Sequence, residues 1–549
     1  MEQFQPDHTL FGAIRQGIEG IPIEIQARFF PGGQKKAWSL QITGLPGPEI
    51  RECCARIEGA FAKCCFPPPH GQILINLAPA GLPKYGTSLD LPIALISLQA
   101  AGFIRDWPPD MERSHVLFGE LGLHGDVRRI PGALPAAHAA SNGQCLIVPQ
   151  GNELEAAMVR AVPGKGDVHV STVAALTDAV AYARGHRALP AARFGREAEY
   201  SRASRPAPDF ANIKGQTRAK RALEIAAAGG HNVLMVGPPG EGKSLLASAL
   251  PGILPPLSSS DKVELTKIYS AKSLIQEDGA LIVDRPYRII HHTASRNSMV
   301  GGGSGIPEPG EISLAHRGVL FLDELPEFPR SSLEALRQPM EAGEITISRV
   351  GQTLSFPAQF TFVAAMNPCP CGFGGQYQCL DCLSIQDSPM QACRRCGGQK
   401  LRERCSCTPQ QVARYRKKIS GPLLDRIDMK VAVDPVDLEE RFAASTAEPS
   451  GTIRERVAAA RERQAHRYTG TPVPCNAFIP GGQVSRWCTF DEPGFDAYRT
   501  AVAKLNLSTR ATDKLAKLSR TVADLAGEEK IAPTHVNEAV ELLGTDLLG

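Results

Sequence analysis

The sequence lacks several features that would assign a long chain to a special class. Its formal net charge is only +3, so no excess of one sign marks the whole chain for binding nucleic acid or a membrane surface. Its longest apolar run, 91–104, contains Pro92, Ser97 and Gln99 and is too short to span a bilayer. Residues 1–7 carry no basic segment leading into an apolar one, so no secretory leader is expected. These absences favour a cytoplasmic protein whose basic surface is local and which has no membrane partner.

Cysteine content and length set the outline of the protein. The chain has 549 residues and 15 cysteines. In a reducing compartment thiols persist as metal ligands more readily than as disulfides, so the count favours metal sites. The hydrophobic fraction of 43% and the charged fraction of 21% are ordinary for a globular protein. The length suffices for about three or four domains.

A glycine-rich segment, 237–244, indicates a nucleotide site. It follows an apolar run, 231–236, that predicts a buried parallel strand, and it precedes 245–250, which predicts a helix. Glycines allow backbone N–H groups at a helix N-terminus to surround phosphates. Lys243 is then expected to reach the outer phosphates of ATP, and the Ser244 hydroxyl to hold Mg²⁺. The residues expected to contact the nucleotide are Gly237, Pro238, Pro239, Gly240, Glu241, Gly242, Lys243, Ser244 and Leu245.

A second segment, 319–324, supplies the carboxylates that a nucleotide hydrolase needs. Its apolar part predicts a strand that ends in Asp323 and Glu324. Asp323 is expected in the Mg²⁺ shell, and Glu324 beside the attacking water as its base. Together the two segments predict an ATPase built on an α/β core.

The chain before the nucleotide site divides into an α/β region, 1–188, and a linker, 189–208. The linker is rich in Ala, Arg, Ser and Pro and has no helical or strand periodicity, which is typical of an exposed domain boundary. A helix over 218–228 is expected after it. Within the α/β region, the apolar patterns predict strands at 73–77 and 145–149 and helices at 90–101 and 152–161.

Two motifs of the amino-terminal region carry a resemblance to a protease. Segment 83–88, Pro-Lys-Tyr-Gly-Thr-Ser, and the glycine-rich segment 119–127 resemble the Lon protease domain. In that family the serine, here Ser88, attacks the peptide, and a lysine beyond the second segment activates it. Pro135 occupies the lysine's position, and a serine without a base is a poor nucleophile. The resemblance implies a degenerate Lon-like fold without protease activity. Lys84 is an alternative base, but nothing in the sequence places it against Ser88.

Further motifs between residues 285 and 339 carry a resemblance that extends over nearly the whole chain. They closely resemble the ComM/YifB family of magnesium-chelatase-like AAA+ ATPases. The resemblance implies an AAA+ core over 209–435. After residue 435 the pattern predicts helices, including 453–466 and 511–525, which is expected of a helical lid over 436–549. The motifs are 285–288 with 291–293, 300–303, 309–316, 323–328 and 336–339.

Three polar residues match catalytic positions of that family. Asn367, after the core strand 361–366, resembles the sensor that holds the attacking water, although an Asn that starts a turn before Pro368 is the alternative. Arg426 resembles the arginine finger that completes a neighbour's site, and Arg510 resembles the sensor arginine of a lid closing on nucleotide. Ordinary surface ion pairs are the alternative for both arginines. A finger acting between subunits implies a ring, expected to be a homohexamer.

A cysteine-rich insertion, 368–408, interrupts the core. Its inner four cysteines form two Cys-x-x-Cys pairs, a spacing suited to tetrahedral Zn²⁺. Its outer four form two Cys-x-Cys pairs that resemble a four-cysteine site in some family members. One or two structural Zn²⁺ ions are expected, and exchange of partners between the two sets stays open. The cysteines are Cys369, Cys371, Cys379, Cys382, Cys393, Cys396, Cys405 and Cys407.

Two features point towards DNA. Segment 345–356 has the alternating pattern of a hairpin around a glycine turn. In related ATPases such a hairpin enters the ring's pore, where Arg349 and Gln352 would meet phosphates. Segment 301–305 is expected to form a second loop nearby. The insertion and its surroundings are locally basic, which suits either a DNA-facing patch or a solvated surface. The basic residues are Arg394, Arg395, Lys400, Arg402, Arg404, Arg414, Arg416, Lys417 and Lys418.

The function expected from the sequence is ATP-driven DNA translocation by a ring-forming ATPase, either branch migration or helicase action in recombination or natural transformation. One alternative is a chelatase-type ATPase that remodels a protein client; because the chain has no Asp-x-Ser-x-Ser motif, that client would be a separate chain. The other alternative is an ATP-dependent protease that uses Ser88.

Overall fold

A computed structural model of the chain describes its fold over most of the sequence. At 199–200, 349, 352, 379, 385–386 and 401 it describes the backbone only. The described residues are 8–32, 38–67, 70–104, 107, 114–192, 199–200, 207–275, 280–303, 306–349, 352–379, 385–386, 401–436, 447–544 and 547.

The amino-terminal region alternates strands with mostly short helices. A 3-10 helix, Met158–Ala161, follows its fourth α-helix. The elements are β1 His8–Gln16, β2 Glu19–Pro31, β3 Ser39–Thr43, α1 Pro48–Lys63, β4 Gly71–Ala78, α2 Asp90–Ala100, β5 His115–Leu117, β6 Glu120–Leu121, β7 Val127–Arg128, α3 Ala133–Ala137, β8 Cys145–Pro149, α4 Glu153–Ala157, β9 His169–Val173 and α5 Leu176–Ala183.

A seven-stranded mixed sheet organises this region in the order β3-β4-β2-β1-β5-β8-β9. β1 pairs antiparallel with β2, and β2 with β4, whereas β5, β8 and β9 continue in parallel. α2 is buried along its whole length because it packs against the sheet and against α1 and α5. The predicted strands at 73–77 and 145–149 and the helix at 90–101 are confirmed. The helix predicted over 152–161 is divided between α4 and the 3-10 helix, since 3-10 turns commonly finish short helices.

The central region contains the strands and helices that surround the predicted nucleotide site. Three 3-10 helices accompany them, at Phe210–Asn212, Leu250–Ile253 and Leu325–Glu327. The elements are β10 Glu199–Tyr200, α6 Thr217–Gly229, β11 Val233–Val236, α7 Lys243–Ala249, α8 Ser259–Ala271, β12 Leu281–Ile282, β13 Tyr287–Ile290, α9 Arg296–Val300, β14 Gly301–Gly302, β15 Glu308–Pro309, α10 Glu311–Leu314, β16 Val319–Leu322, α11 Arg330–Ala335, α12 Arg337–Ala342, β17 Glu344–Arg349, β18 Gln352–Pro357, β19 Thr361–Met366, β20 Tyr377–Cys379, β21 Ile385–Gln386, β22 Leu401–Glu403, α13 Pro409–Arg416, α14 Gly421–Leu424 and β23 Met429–Ala432.

A five-stranded parallel sheet forms the centre of this region in the order β13-β16-β19-β11-β23. Every residue of β11, β16 and β19 is buried, as expected of strands covered on both faces. Parallel strands end at one edge, so the segments that follow β11, β16 and β19 leave the sheet side by side. These are the glycine-rich segment, Asp323 with Glu324, and Asn367.

Short backbone pairings occur within the predicted linker. β10 lies inside the linker and pairs in parallel with β12, and Ala192 N donates a hydrogen bond of 2.8 Å to Val170 O in β9. Backbone pairing over two residues needs no periodic arrangement of side chains. A pattern of apolar residues therefore cannot reveal it.

The carboxy-terminal region is helical, as the pattern predicted. Its two longest helices, α15 and α18, match the predicted segments 453–466 and 511–525. On α18, Asp524 is fully buried and accepts hydrogen bonds from Arg467, Arg520 and Asn476, which fixes the helices to one another. The α-helices are α15 Ser450–Arg467, α16 Val484–Trp487, α17 Glu492–Lys504, α18 Thr509–Ala526 and α19 Pro533–Leu543.

Candidate ATP site and cysteine cluster

The glycine-rich segment forms a tight loop between β11 and α7. Gly240 and Gly242 have φ values of 84° and 82°, a conformation that side chains rarely adopt. Gly237 packs so closely on the residue that follows β23 that a Cβ there would lie 2.2 Å from Val433 O. Backbone N–H groups of the loop thus meet the N-terminus of α7, an arrangement that binds phosphates. Leu245, expected to contact nucleotide, is a 45% exposed residue of α7.

Lys243 is folded back into this loop. Its Nζ donates hydrogen bonds to Gly237 O at 2.6 Å, to Pro238 O at 2.7 Å and to Asn367 Oδ1 at 3.1 Å. Burial lowers the pKa of Lys243, and the carboxylates of Asp323, Glu241 and Glu324 oppose that shift. The contact with Asn367 places two groups predicted to act at the outer phosphate side by side. The carbonyl oxygens of Gly237 and Pro238 accept hydrogen bonds from Lys243 that phosphate oxygens could accept instead.

The predicted Mg²⁺ ligands also lie together. Ser244 Oγ donates to Asp323 Oδ2 at 2.6 Å, and Asp323 Oδ1 accepts from Glu324 N at 3.0 Å. A hydroxyl beside a carboxylate at the carboxyl edge of the sheet is the oxygen set that Mg²⁺ prefers when it also binds phosphates. Glu324 has a φ of 52°, and its side chain is 56% exposed. The carboxylate therefore faces solvent at the carboxyl edge of the sheet.

His292 joins this group, although no role was expected for it from the sequence. It follows β13, the strand next to β16, and its Nδ1 lies 3.9 Å from Glu324 Oε2. Its ring contacts His291, with centroids 4.1 Å apart, and meets Phe328 edge-on. The signal that could have found it is its position at the end of the strand adjacent to the one carrying Asp323.

Arg426 and Arg510 lie at the opposite edge of the parallel sheet. Both line a cavity of about 530 Å³ together with Asn232, which directly precedes β11. Arg426 donates to Pro422 O at 2.8 Å and pairs with the Glu341 carboxylate, which holds the pKa of Glu341 below its usual range. The two predicted arginines therefore share one site at the amino edge of the sheet.

Arg510, expected as the sensor arginine of a lid closing on nucleotide, lies beyond the amino end of β11, whereas the phosphate loop begins at the carboxyl end. The intervening strand is about 13 Å long at a rise of about 3.3 Å per residue. Lys514 Nζ, one turn further along α18, donates to Ile427 O at 2.8 Å and ties the helix to that edge. This contact anchors α18, and Arg510 with it, at the amino edge of the sheet.

The outer four cysteines of the insertion form a cluster, which we call the cysteine cluster. The Sγ atoms of Cys369, Cys371, Cys405 and Cys407 all lie within 4.8 Å of one another. Cys369 Sγ lies 3.3 Å from Cys371 Sγ and 3.7 Å from Cys405 Sγ. A tetrahedral Zn²⁺ with Zn–S bonds of about 2.3 Å separates its sulfurs by about 3.8 Å. The cluster therefore has the dimensions of a four-thiolate zinc site.

The charge state of the cluster also suits a metal. Burial alone would raise the pKa of the Cys371 thiol, but hydrogen bonds from the backbone N–H groups of Phe373 and Ser406 and contacts with neighbouring thiols lower it to about 6. The surroundings of Cys371 therefore favour the thiolate, the form that binds a cation, whereas burial raises the pKa of Cys405 to about 12. Among the inner four cysteines, the side chain of Cys379 and all of Cys382, Cys393 and Cys396 lie outside the described residues.

The predicted DNA-facing hairpin is present as β17 and β18. The two strands pair from Glu344↔Pro357 to Arg349↔Gln352. The side chains of Arg349 and Gln352, and residues 304–305 of the neighbouring loop, lie outside the described part of the chain.

Part of the predicted basic surface has internal partners. Lys418 pairs with Glu327 at 3.0 Å, and Arg404 lies over the Phe373 ring at 4.2 Å. Arg414, Arg416 and Lys417 belong to α13 and its C-terminal cap. Arg394, Arg395 and Lys400 lie outside the described residues. The described part of the surface is thus only partly available for a partner.

Ser88 has no catalytic surroundings. Its Oγ is buried and donates to the backbone carbonyl of Ala13 at 2.9 Å. Lys84, the alternative base, donates from Nζ to Gly44 O at 2.8 Å and to Leu77 O at 3.0 Å, and Pro135 lies within the buried helix α3. This arrangement favours a structural role for Ser88.

Within the described residues, no helix is both long and apolar enough to cross a membrane.

Comparison with known families assigns most of the chain. Residues 209–387 and 388–441 match the family described as magnesium chelatase, subunit ChlI; 447–542 match its C-terminal family, and 33–152 match the family described as subunit ChlI of Mg-chelatase.

Comparison with individual proteins gives relatives over nearly the full length. The chain is 38% identical to the uncharacterized protein YifB of Salmonella typhimurium and 38% identical to competence protein ComM of Haemophilus influenzae. Each alignment covers 97% of this chain and 96% of the relative. The magnesium-chelatase 38 kDa subunit of Rhodobacter capsulatus is 29% identical over 30% of this chain and 51% of its own length.

Proposed function

Because the chain belongs to the ComM/YifB family of magnesium-chelatase-like AAA+ proteins, we propose that it is a ring-forming ATPase that uses ATP hydrolysis to move DNA strands. The step is branch migration or unwinding during recombination of incoming DNA. The observation that carries the ATPase is the convergence of Lys243 with Asn367 and of Ser244 with Asp323 at one sheet edge. The name of the Haemophilus relative, a competence protein, supports a role in natural transformation.

Residues at the carboxyl edge of the sheet bind ATP and activate the attacking water. The loop from Gly237 to Leu245 surrounds the phosphates of ATP, and Lys243 exchanges its carbonyl partners for phosphate oxygens. Ser244 and Asp323 would hold Mg²⁺, which when bound would supply positive charge to the phosphate oxygens. Glu324 orients the attacking water and accepts its proton, and Asn367 positions that water against the outer phosphate.

The amino edge of the sheet acts on a neighbouring subunit. Arg426 and Arg510 lie together in one cavity, about a strand's length from the phosphate loop of their own chain. Two guanidinium groups placed over a neighbour's outer phosphate stabilise the negative charge that grows there in the transition state. A head-to-tail interface of this kind closes into a ring, for which we propose six subunits.

We propose a supporting role for each remaining part. Residues 1–188 form a Lon-like domain without protease activity, which the buried Ser88 supports. The linker 189–208 joins it to the ATPase core, 209–435, and 436–549 form the helical lid. The cysteine cluster holds a structural Zn²⁺ in insertion 368–408, and the inner cysteines provide a second site. The whole assembly acts in the cytoplasm, where reduced thiols persist.

DNA contacts are proposed at the hairpin β17–β18 and at α13. The hairpin would place Arg349 and Gln352 in the pore of the ring, where backbone phosphates pass. α13 carries Arg414 and Arg416 next to the insertion. Contacts to phosphates predict binding that weakens as the salt concentration rises.

ATP hydrolysis with defined DNA tests the proposal. The purified full-length protein is assayed alone and with single-stranded, forked and four-way-junction DNA, and junction movement is followed on a gel. Stimulated hydrolysis and ATP-dependent movement are expected, and both are lost in Lys243→Ala. An ATPase indifferent to every DNA would instead favour a motor that remodels a protein client, the function suggested by the similarity to a chelatase subunit.

A further inference from the structure

The cysteine cluster lies directly beside the machinery that recognises ATP. Asn367, which contacts Lys243, is followed after one proline by Cys369 and then by Cys371. Cys369 is fully buried, and Gly372 N donates to Cys369 O at 3.0 Å, closing a turn over these residues. The sensor of the outer phosphate and two ligands of the proposed Zn²⁺ thus lie within five residues of one chain segment.

The turn also touches the phosphate loop itself. A Cβ added at Gly372 would lie 2.7 Å from Cδ and 3.1 Å from Cγ of Pro239. Gly372 is buried and has a φ of 88°, so its backbone packs flat against the proline ring. Pro239 is exposed on its other side and belongs to the loop between β11 and α7. The cysteine turn therefore supports one wall of the phosphate loop.

A shared cavity connects the two sites on a second side. It has a volume of about 910 Å³, and Gly237 and Pro238 of the phosphate loop line it together with Cys369, Cys405 and Cys407. Both halves of the cysteine cluster, which are far apart in sequence, therefore face the loop that binds phosphate.

We propose that Zn²⁺ in the cysteine cluster and nucleotide in the phosphate loop are thermodynamically linked, so that each ligand tightens the binding of the other. The cross-link between 369–371 and 405–407 holds the turn that positions Asn367 and supports Pro239. The inference rests on the ATP site and the Zn²⁺ site proposed above. Linkage is reciprocal, and couplings between sites commonly change affinity by about 5–150-fold.

Zinc release provides a readout that does not depend on turnover. Full-length protein purified without chelator is mixed with a colorimetric zinc chelator, with and without Mg²⁺-ADP, and the release rate is recorded. Nucleotide is expected to slow release about ten-fold, and removal of zinc is expected to raise the Kd of a fluorescent ADP by a similar factor. In Lys243→Ala the zinc content should stay at that of the unaltered protein, while the effect of nucleotide on release disappears.

A matched pair of glycine variants tests the contact itself. Gly372→Ala leaves every thiol in place but pushes a Cβ against Pro239, whereas Gly375→Ala introduces a Cβ at a similar φ of 77° with no atom within 4 Å. Both variants are expected to keep their zinc, because neither alters a ligand. Only Gly372→Ala should weaken ADP binding, and in it nucleotide should no longer slow zinc release.

Four outcomes overturn the inference; the first three differ from failure of the ATP site, and the fourth is that failure. Less than one zinc per chain would remove the metal site itself. Zinc release indifferent to Mg²⁺-ADP, in protein that binds fluorescent ADP, would leave both sites intact but unlinked. Equal ADP affinities for Gly372→Ala and Gly375→Ala would show that the contact with Pro239 transmits nothing. Failure to bind ADP at all, with zinc present, would contradict the ATP site and with it the linkage.

Discussion

Mixing two inactive variants tests whether Arg510 acts between subunits. Arg510→Ala removes a group at the amino edge of the sheet, and Lys243→Ala removes one at the carboxyl edge. Each variant alone should be inactive, since loss of a transition-state arginine costs about 10³-fold or more in turnover. Coexpressed, the two chains can form interfaces in which the phosphate loop of an Arg510→Ala subunit meets the intact arginines of a Lys243→Ala subunit.

The size of the recovery follows from the arrangement. In a ring with one kind of interface, equal random mixing gives about one quarter of interfaces with a complete set of groups. Hydrolysis should therefore recover to about one quarter of the wild-type rate, provided that interfaces act independently. If Arg510 reached the nucleotide of its own chain, every subunit would lack one essential group and no recovery would occur. The length of β11, about 13 Å, is the reason for expecting recovery.

A second mixture controls for changes in assembly. Arg510→Ala with Arg426→Ala places both losses in the same cavity, so every interface still lacks one arginine and recovery should be absent. Affinity tags on one chain and mass measurement confirm that mixed rings are present. Equal activity in the two mixtures, or no recovery in the first despite mixed rings, would refute the assignment of Arg510 to a neighbour's site.

Five further substitutions have defined outcomes. His292→Ala should lower kcat several-fold and leave KM for ATP nearly unchanged, because the side chain lies 3.9 Å from Glu324 and, among the described residues, contacts no predicted phosphate ligand. Glu324→Gln should lower kcat by about 10²–10⁴-fold in the same steady-state assay. Ser88→Ala should leave the rate of ATP hydrolysis unchanged, and neither this variant nor the unaltered protein should cleave casein. Casein cleavage by the unaltered protein that disappears in Ser88→Ala would instead support the protease function. Asp524→Ala should destabilise the carboxy-terminal helices by about 3–5 kcal/mol in urea unfolding followed by circular dichroism, because the buried Arg520 loses its carboxylate partner; an unchanged midpoint would contradict this. Cys371→Ser should reduce the zinc content measured by elemental analysis, whereas Cys65→Ser, at an exposed thiol, should not.

Motifs with a short-range physical cause could be predicted from the sequence. The loop around Lys243, the strand before Asp323 and the strand before Asn367 each carry their own pattern, and the structure brings the three together as parallel strands must. The cysteine spacing likewise predicted a metal site. The sequence could not decide which cysteines share a site, because 369–371 and 405–407 meet only through the fold.

The remaining differences come from long-range placement. Nothing near Arg510 in sequence indicates that the start of α18 lies at the amino edge of the sheet; that position depends on contacts such as Lys514 with Ile427. The position of His292 beside Glu324 depends on the order of strands, since β13 and β16 are neighbours only after the sheet is assembled. Pairing of β10 with β12 uses backbone groups, which every residue has.

The contacts of α18 determine how the lid can influence the shared arginine cavity. Thr521 Oγ1 lies 2.7 Å from His231 Nε2, and His231 Nδ1 lies 3.6 Å from Asp428 Oδ2. Asp428 accepts a hydrogen bond of 2.9 Å from Asn232 N and stands two residues after Arg426. Both arginines are therefore tied to α18, Arg510 as one of its residues and Arg426 through these contacts. Because both groups serve a neighbour's nucleotide under the proposed mechanism, lid movement in one subunit would alter hydrolysis in the next.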